Sequence, residues 1–375
     1  MKCFVSAGEA SGDLHGSRLI TALRKASPGL QVAVMGGPLM RKAAQQCVCQ
    51  SEEVAYMGFI DVALHLNDIR KAARKVQQYL LHERPNVVVC IDYPGFHLRY
   101  VLPFVRKHLP NTRIVYYIPP KVWAWKKQRI RTLRQQTDLV LCIFPFEVPF
   151  FQQHHLPQAV YVGNPSVAEV EQYLQSAPPP TQTPPTLALV CGSRTAEIKA
   201  NLPLMLRIAA AFPTYKAVIP MAPGLSQTLY TQIPGIEQAE IVEGDTYGVI
   251  RNASAALVTS GTATLETALL GTPQVVCYAV KGGKLANFVF RHFFHIPYIS
   301  LVNLNAGKEV VQELYGGLFR YNTVYQALHQ LLVPQTNNST RNKMLKQYKE
   351  LQQQLHTTLP AEQVAAQQIL ALLKR

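Results

Sequence analysis

Short apolar runs of strand length recur along the chain, and each adjoins a stretch with helical spacing. The runs at 2–6, 31–35, 86–91, 113–117, 139–143 and 158–162 are bounded by amphipathic segments, the rhythm of a parallel sheet covered by helices on both faces. A proline-rich segment, Ser176-Ala177-Pro178-Pro179-Pro180-Thr181-Gln182-Thr183-Pro184-Pro185, then interrupts it, because proline continues neither element. The alternation restarts at 186–190, 215–219, 255–258 and 274–278. A chain of 375 residues suits two domains of ordinary size. The expected fold is therefore α/β, with parallel sheets in two domains, 1–170 and 171–340, joined within 165–185. Only helical patterns follow residue 320, at 342–355 and 360–374. That tail, 341–375, packs back on a domain or onto a second subunit as a homodimer contact.

The charge narrows the partners. Lysine and arginine number 37 against 22 aspartates and glutamates, a net charge of +15, which favours nucleic acid, an anionic membrane surface or phosphorylated substrates. Basic residues gather at 99–113, 121–134 and 281–291, and aromatics interleave the last two clusters, as suits a lipid headgroup layer. The amphipathic stretch 60–81, with Arg70, Lys71, Arg74 and Lys75, is read either as a further lipid contact or as an ordinary surface helix. No run reaches the ~18 apolar residues that a membrane span needs, and the first strand does not resemble a signal peptide. The expectation is a cytoplasmic protein, soluble or peripheral. The seven cysteines lie mostly in apolar runs, as free thiols do in a reducing compartment, and lack zinc-site spacing. No structural metal and no cofactor are expected.

Candidate chemistry sits in the turns after the strands, where open α/β sheets hold their ligands. The first, Gly8-Glu9-Ala10-Ser11-Gly12-Asp13, opens a helix, but its two carboxylates would repel a phosphate. Glu9, Ser11 and Asp13 are thus read as groups that hydrogen-bond sugar hydroxyls or shape an acceptor pocket, or else as a helix cap and a solvated acid. The run 86–91 ends in Asp92-Tyr93-Pro94-Gly95-Phe96-His97, which makes Asp92 a candidate general base or a turn-initiating residue. His97 is a weaker candidate. The turn Lys121-Val122-Trp123-Ala124-Trp125-Lys126-Lys127 can stack on sugars or sit in an interface, or lend one tryptophan to the core.

In the second half, Gly192-Ser193-Arg194 offers open backbone, a hydroxyl and a guanidinium to a diphosphate. Ser260, Gly261, Thr262 and Thr264 line another helix start, and Glu266 is placed to accept hydrogen bonds from ribose hydroxyls. The two turns together describe a nucleotide-diphosphate crevice. The GxxxxGK[ST] loop and the GxGxxG fingerprint are absent, which argues against ATP hydrolysis and dinucleotide redox chemistry.

In order along the chain, Gly8-Glu9-Ala10-Ser11-Gly12-Asp13, Ile91-Asp92-Tyr93-Pro94-Gly95-Phe96, Val122-Trp123-Ala124-Trp125, Pro145-Phe146-Glu147, Gly192-Ser193-Arg194, Ser260-Gly261-Thr262-Ala263-Thr264-Leu265-Glu266 and Asn303-Leu304-Asn305-Ala306-Gly307-Lys308-Glu309 resemble lipid-A-disaccharide synthase. The resemblance implies a GT-B glycosyltransferase, two Rossmann-like domains facing a cleft, with the acceptor on the first and the nucleotide sugar on the second. It implies UDP-2,3-diacylglucosamine as donor and 2,3-diacylglucosamine 1-phosphate as acceptor, joined by a β-1,6 bond with inversion and without a metal. It also implies Asp92 as base and Glu9 on the acceptor side. Gly192, Ser193, Arg194 and the turn from Ser260 to Glu266 then hold UDP, with Asn303 and Glu309 near the donor. The chain departs from the family pattern at Gly95, His97, Asn164 and Cys191, and keeps Asp92, Arg194 and Glu266. The alternatives are another GT-B transferase or a UDP-sugar epimerase with a soluble substrate. A non-catalytic lipid- or nucleic-acid-binding protein is a third, but no nucleic-acid module is recognisable and no such partner is expected.

Overall fold

The computed structural model describes residues 1–53, 65–181, 183–280, 297–332 and 340–374. The chain forms two compact units, Met1–Pro165 with Thr357–Arg375, and Ser166–His356. The strands of the first are β1 (Lys2–Ala7), β2 (Gln31–Gly36), β3 (Gln46–Gln50), β4 (Val87–Ile91), β5 (Arg113–Tyr117), β6 (Leu139–Cys142) and β7 (Ala159–Tyr161). They form a parallel sheet in the order β3-β2-β1-β4-β5-β6-β7. Phe4 of β1 lies between Ala33 of β2 and Val88 of β4.

Both faces of this sheet are dry, because successive strand residues point to opposite sides and nearly all of them are apolar. Phe4, Val88, Cys90, Tyr116 and Val140 join Ile69, Val76, Phe96 and Leu133 in one core. Val5, Val87, Val89, Val115 and Leu141 join Leu19, Ile20, Leu23, Ala365 and Ile369 in the other. The helix Ala10–Ala26 buries Gly12, Asp13, Gly16, Leu19, Ile20 and Leu23, a stripe at helical spacing. The helix Leu66–Glu83 likewise turns Ile69, Ala72, Ala73, Val76 and Leu80 inward and leaves Arg70, Lys71, Arg74 and Lys75 exposed. Where it is described, the 60–81 stretch is thus a surface helix whose apolar face packs into the core. Residues 60–64 and the basic cluster 281–291 lie outside the described residues.

The second unit repeats the plan with β8 (Thr186–Val190), β9 (Lys216–Pro220), β10 (Ala239–Val242), β11 (Ala255–Thr259), β12 (Gln274–Tyr278) and β13 (Glu313–Tyr315). These strands are also parallel, in the order β10-β9-β8-β11-β12-β13. Central β11 is buried along its length, with Leu257 opposite Leu189 and Val258 opposite Val276.

The tail, expected as one piece over 341–375, is divided. The helix Thr340–Leu355 belongs to the second unit and buries Met344, Tyr348, Leu351 and Leu355. The helix Ala361–Leu373 returns to the first unit and lies on the helix Ala10–Ala26. Burial of Ile369 alone stabilises that docking by about 2 kcal/mol. Among the described residues no helix is long and apolar enough to cross a membrane.

Candidate active site

In an open parallel sheet, ligands sit past the carboxyl ends of the two neighbouring strands whose connections leave in opposite directions. In the first unit those strands are β1 and β4. Their following turns carry Gly8-Glu9 and Asp92-Tyr93, so the fold brings two of the sequence candidates to one crevice. Gly8 is required there: a Cβ would lie 2.3 Å from the Tyr93 ring. Glu9 is half-buried and Ser11 exposed at the start of the helix.

Asp92 and Tyr93 both have φ of 45°, the left-handed region that non-glycine residues enter only when their surroundings hold them there. The N–H of Asp92 donates to the Tyr117 carbonyl at 3.1 Å. The carbonyl of Asp92 accepts from the Tyr116 hydroxyl and from His97 Nδ1, each at 2.7 Å. Burial raises the pKa of the Asp92 carboxyl, while the positive charge of Lys121 and a hydrogen bond from the Tyr93 N–H hold it back. The arrangement presents a partly desolvated, fixed carboxylate at the switch point, which is what a general base toward a hydroxyl requires.

Beside it is a cavity of about 680 Å³, walled by Leu66, Ile69, Phe96, Leu98 and Tyr100, and lined also by Tyr93 and Pro94, the residues that follow Asp92. Arg99, Lys126 and Arg129 also line it. Trp125 is 43% exposed, and Lys126 Nζ lies 4.2 Å and Arg129 Cζ 5.7 Å from the centre of its ring. Apolar walls with cations in the lining suit an acyl chain attached to an anionic head.

The paired tryptophans divide their tasks. Trp123 is buried and donates its indole N–H to Glu147 at 3.2 Å, and the Phe144 N–H donates to the other carboxyl oxygen at the same distance. Burial pushes the Glu147 carboxyl up to about 7. Glu147 therefore ties down the loop that displays Trp125.

In the second unit the switch point lies between β8 and β11, whose following turns are Gly192-Ser193-Arg194 and Ser260-Gly261-Thr262. Gly192 has φ of 114°, and a Cβ there would meet the Glu197 side chain at 2.7 Å. The Ser193 N–H donates to Glu197 at 3.3 Å, and the exposed Arg194 guanidinium lies 3.4 Å from the same carboxylate. Such an exposed pair is worth only about 0–1 kcal/mol, so an incoming diphosphate can displace it. Ser260 donates to the Ile299 carbonyl at 2.9 Å, and Thr262 is exposed at the helix start. Glu266 borders a second cavity of about 680 Å³ with Tyr173, Met221, Asp245 and Tyr247. Burial and the negative charge of Glu169 push its carboxyl up to about 7, while Ser166 holds it back.

Three expectations are corrected. Asp13 accepts from the backbone N–H groups of Leu39 and Met40, both at 2.9 Å. Its two oxygens cap the helix Pro38–Ala43 instead of facing an acceptor hydroxyl. Thr264 is fully buried and donates to the Gly261 carbonyl within its own helix. Asn303 is buried, with its amide donating to Val311 and Glu313 and its oxygen accepting from the N–H groups of Val310 and Val311. It braces a loop. Glu309 is exposed in the turn after the helix Leu301–Ala306. The sequence reading missed the contributions of Tyr116, Tyr173, Tyr247 and Glu197, which follow from spatial neighbours rather than from spacing.

A family model for lipid-A-disaccharide synthetase matches residues 3–369. The chain is 34% identical to the lipid-A-disaccharide synthase of Nitrosococcus oceani over 83% of its length and 81% of the relative's. It is 32% identical to that of Myxococcus xanthus over 99% and 97%. Among solved structures, UDP-GlcNAc 2-epimerase from Neisseria meningitidis bound to UDP-GlcNAc aligns with a TM-score of 0.59 at 13% identity, covering 100% of both chains. MurG of Acinetobacter baumannii aligns with a TM-score of 0.56 at 13% identity, covering 99% of each. Identity this low carries the fold, a chain of two Rossmann-like domains, and nothing of the chemistry. The family match, continuous across both units and including every turn described above, carries more: the chain belongs to the lipid-A-disaccharide synthase family, glycosyltransferases of lipid A synthesis.

Proposed function

We propose that this chain joins UDP-2,3-diacylglucosamine to 2,3-diacylglucosamine 1-phosphate through a β-1,6 bond, with inversion at the anomeric carbon. The observation that carries the reading is the juxtaposition in the first unit of a partly desolvated carboxylate, Asp92, with an apolar cavity lined also by Arg99, Lys126 and Arg129. In this reading the cavity takes an acyl chain of the acceptor and the cations meet its phosphate or an anionic membrane surface. Glu9 and Ser11 hydrogen-bond acceptor hydroxyls. Asp92 removes the proton from the acceptor 6-hydroxyl as that oxygen forms its bond to the anomeric carbon. The bond from that carbon to the UDP oxygen breaks, and its electron pair leaves on the diphosphate.

Leaving-group charge falls to the second unit. Arg194, freed from Glu197, and the N–H groups at Gly192, Ser193 and Thr262 stabilise the departing diphosphate. Ionised Glu266 accepts from the ribose hydroxyls, with Tyr173 and Tyr247 beside the nucleobase. A single base suffices for inversion in one displacement, whereas a glycoside hydrolase needs two facing carboxylates.

The test is UDP release in mixed micelles, with the donor lipid alone and then with the acceptor lipid added. Release that needs both lipids and yields a disaccharide supports the reading. Release with the donor alone, or near-normal turnover by Asp92→Ala, overturns it.

A further inference from the structure

We propose that His97 and Tyr116 are positioning residues for the reaction: together they lock the peptide group that follows Asp92 and thereby aim its carboxylate. The proposal rests on reading Asp92 as the base.

The geometry determines the tautomer of His97. A carbonyl oxygen only accepts, so His97 Nδ1, 2.7 Å from the Asp92 oxygen, carries the proton. Nε2 is then bare, and Ser6 Oγ, 2.9 Å away, donates to it. The Tyr116 hydroxyl donates to the same Asp92 oxygen at 2.7 Å, so both lone pairs of that carbonyl are used. Ser6 is fully buried in β1, and the chain Ser6 to His97 to Asp92 therefore ties together the two strands that flank the crevice.

The surroundings hold the imidazole in this state. His97 is completely buried, with the rings of Tyr93, Phe96 and Tyr116 at 6.0, 5.9 and 6.0 Å, all nearly perpendicular to it. It begins the π-helical turn His97–Val101, a widened turn that recurs at functional sites. Burial pulls its pKa down to about 4, which keeps it neutral near pH ~7, and the two hydrogen bonds set the proton on Nδ1. Two hydrogen bonds to one carbonyl oppose relaxation of the left-handed pair Asp92-Tyr93. If that peptide rotates, the carboxylate moves with it, and misplacement of a base by a fraction of an ångström slows turnover without weakening donor binding.

Asparagine places an amide N–H near the position of Nδ1, whereas glutamine places one near Nε2. The experiment measures steady-state UDP release for His97→Asn, His97→Gln and Tyr116→Phe, alone and combined with Asp92→Ala. His97→Gln and Tyr116→Phe should each lower kcat about tenfold with donor KM unchanged, and His97→Asn should keep kcat within about threefold. On the Asp92→Ala background neither should cost more than about twofold further. Normal kcat in His97→Gln and Tyr116→Phe beside an Asp92→Ala slowed to a residual rate overturns the positioning role alone. The same holds for an undiminished loss on the Asp92→Ala background. An active Asp92→Ala overturns the base and its positioning together. Should His97→Gln fail to fold, Tyr116→Phe, which removes one oxygen, reads the same interaction.

Discussion

Asp13 lies four residues beyond Glu9 in a turn that reads as acceptor-binding, yet its carboxylate is buried and accepts from the backbone N–H groups of Leu39 and Met40, both at 2.9 Å. Those donors are free ends of the helix Pro38–Ala43, which has proline at its start and no side-chain cap of its own. The chain approaches closely enough at Gly37 that a Cβ there would meet the Asp13 carboxyl at 2.6 Å. Asp13→Asn keeps one acceptor and turns an NH₂ toward the other N–H. Loss of one charge-assisted bond, with a buried donor left facing a donor, costs about 2–3 kcal/mol. For a unit of this size the midpoint should fall by roughly 5–10 °C. The assay is thermal unfolding by circular dichroism, with initial rates measured well below the transition, where kcat and acceptor KM should stay within about threefold of the parent. An unchanged midpoint with acceptor KM raised about tenfold would refute the argument and return Asp13 to the acceptor site.

Glu266 must ionise to accept from both ribose hydroxyls, and its carboxyl stands at about 7, so affinity for UDP-N-acetylglucosamine should rise about tenfold between pH ~6 and pH ~8. That probe has no phosphate titrating in this window. Calorimetry should find the rise absent in Glu266→Gln, and a flat profile for the parent chain sinks the assignment. Glu147, pushed up to about 7 by burial, favours the protonated carboxyl in the folded state. Its contribution is fully present below the unfolded value of about 4.5 and is lost as pH rises through about 7, a change of roughly 3 kcal/mol. The difference in unfolding free energy between the parent and Glu147→Gln should therefore shrink from pH ~5 to pH ~8, and a constant difference contradicts it.

The strands legible in the sequence are mostly the interior ones. Val87–Ile91 and Ala255–Thr259 are buried along their whole length, so every position must be apolar and the run stands out. Gln46–Gln50, Ala239–Val242 and Glu313–Tyr315 were not legible, and all three are edge strands with partly exposed side chains. An edge needs only one dry face or none, so its sequence reads like a loop. The division of the tail was hidden for a similar reason: both helices have apolar stripes, and a stripe does not name the surface that will cover it.

By itself the sequence determined that two parallel sheets form and that Glu9, Asp92, Arg194 and Glu266 fall at or near the carboxyl ends of their strands, because burial and turn chemistry are written in local spacing. Tertiary structure alone decided which polar groups face solvent and which brace the scaffold. Asp13 and Asn303 looked no different from their neighbours until the helix Pro38–Ala43 and the backbone of Val310 and Val311 came within about 3 Å of them. His97 and Ser6 are 91 positions apart, and only the pairing of β1 with β4 brings them together. A hydrogen bond is fixed by distance and direction between particular atoms, and those are properties of the folded chain.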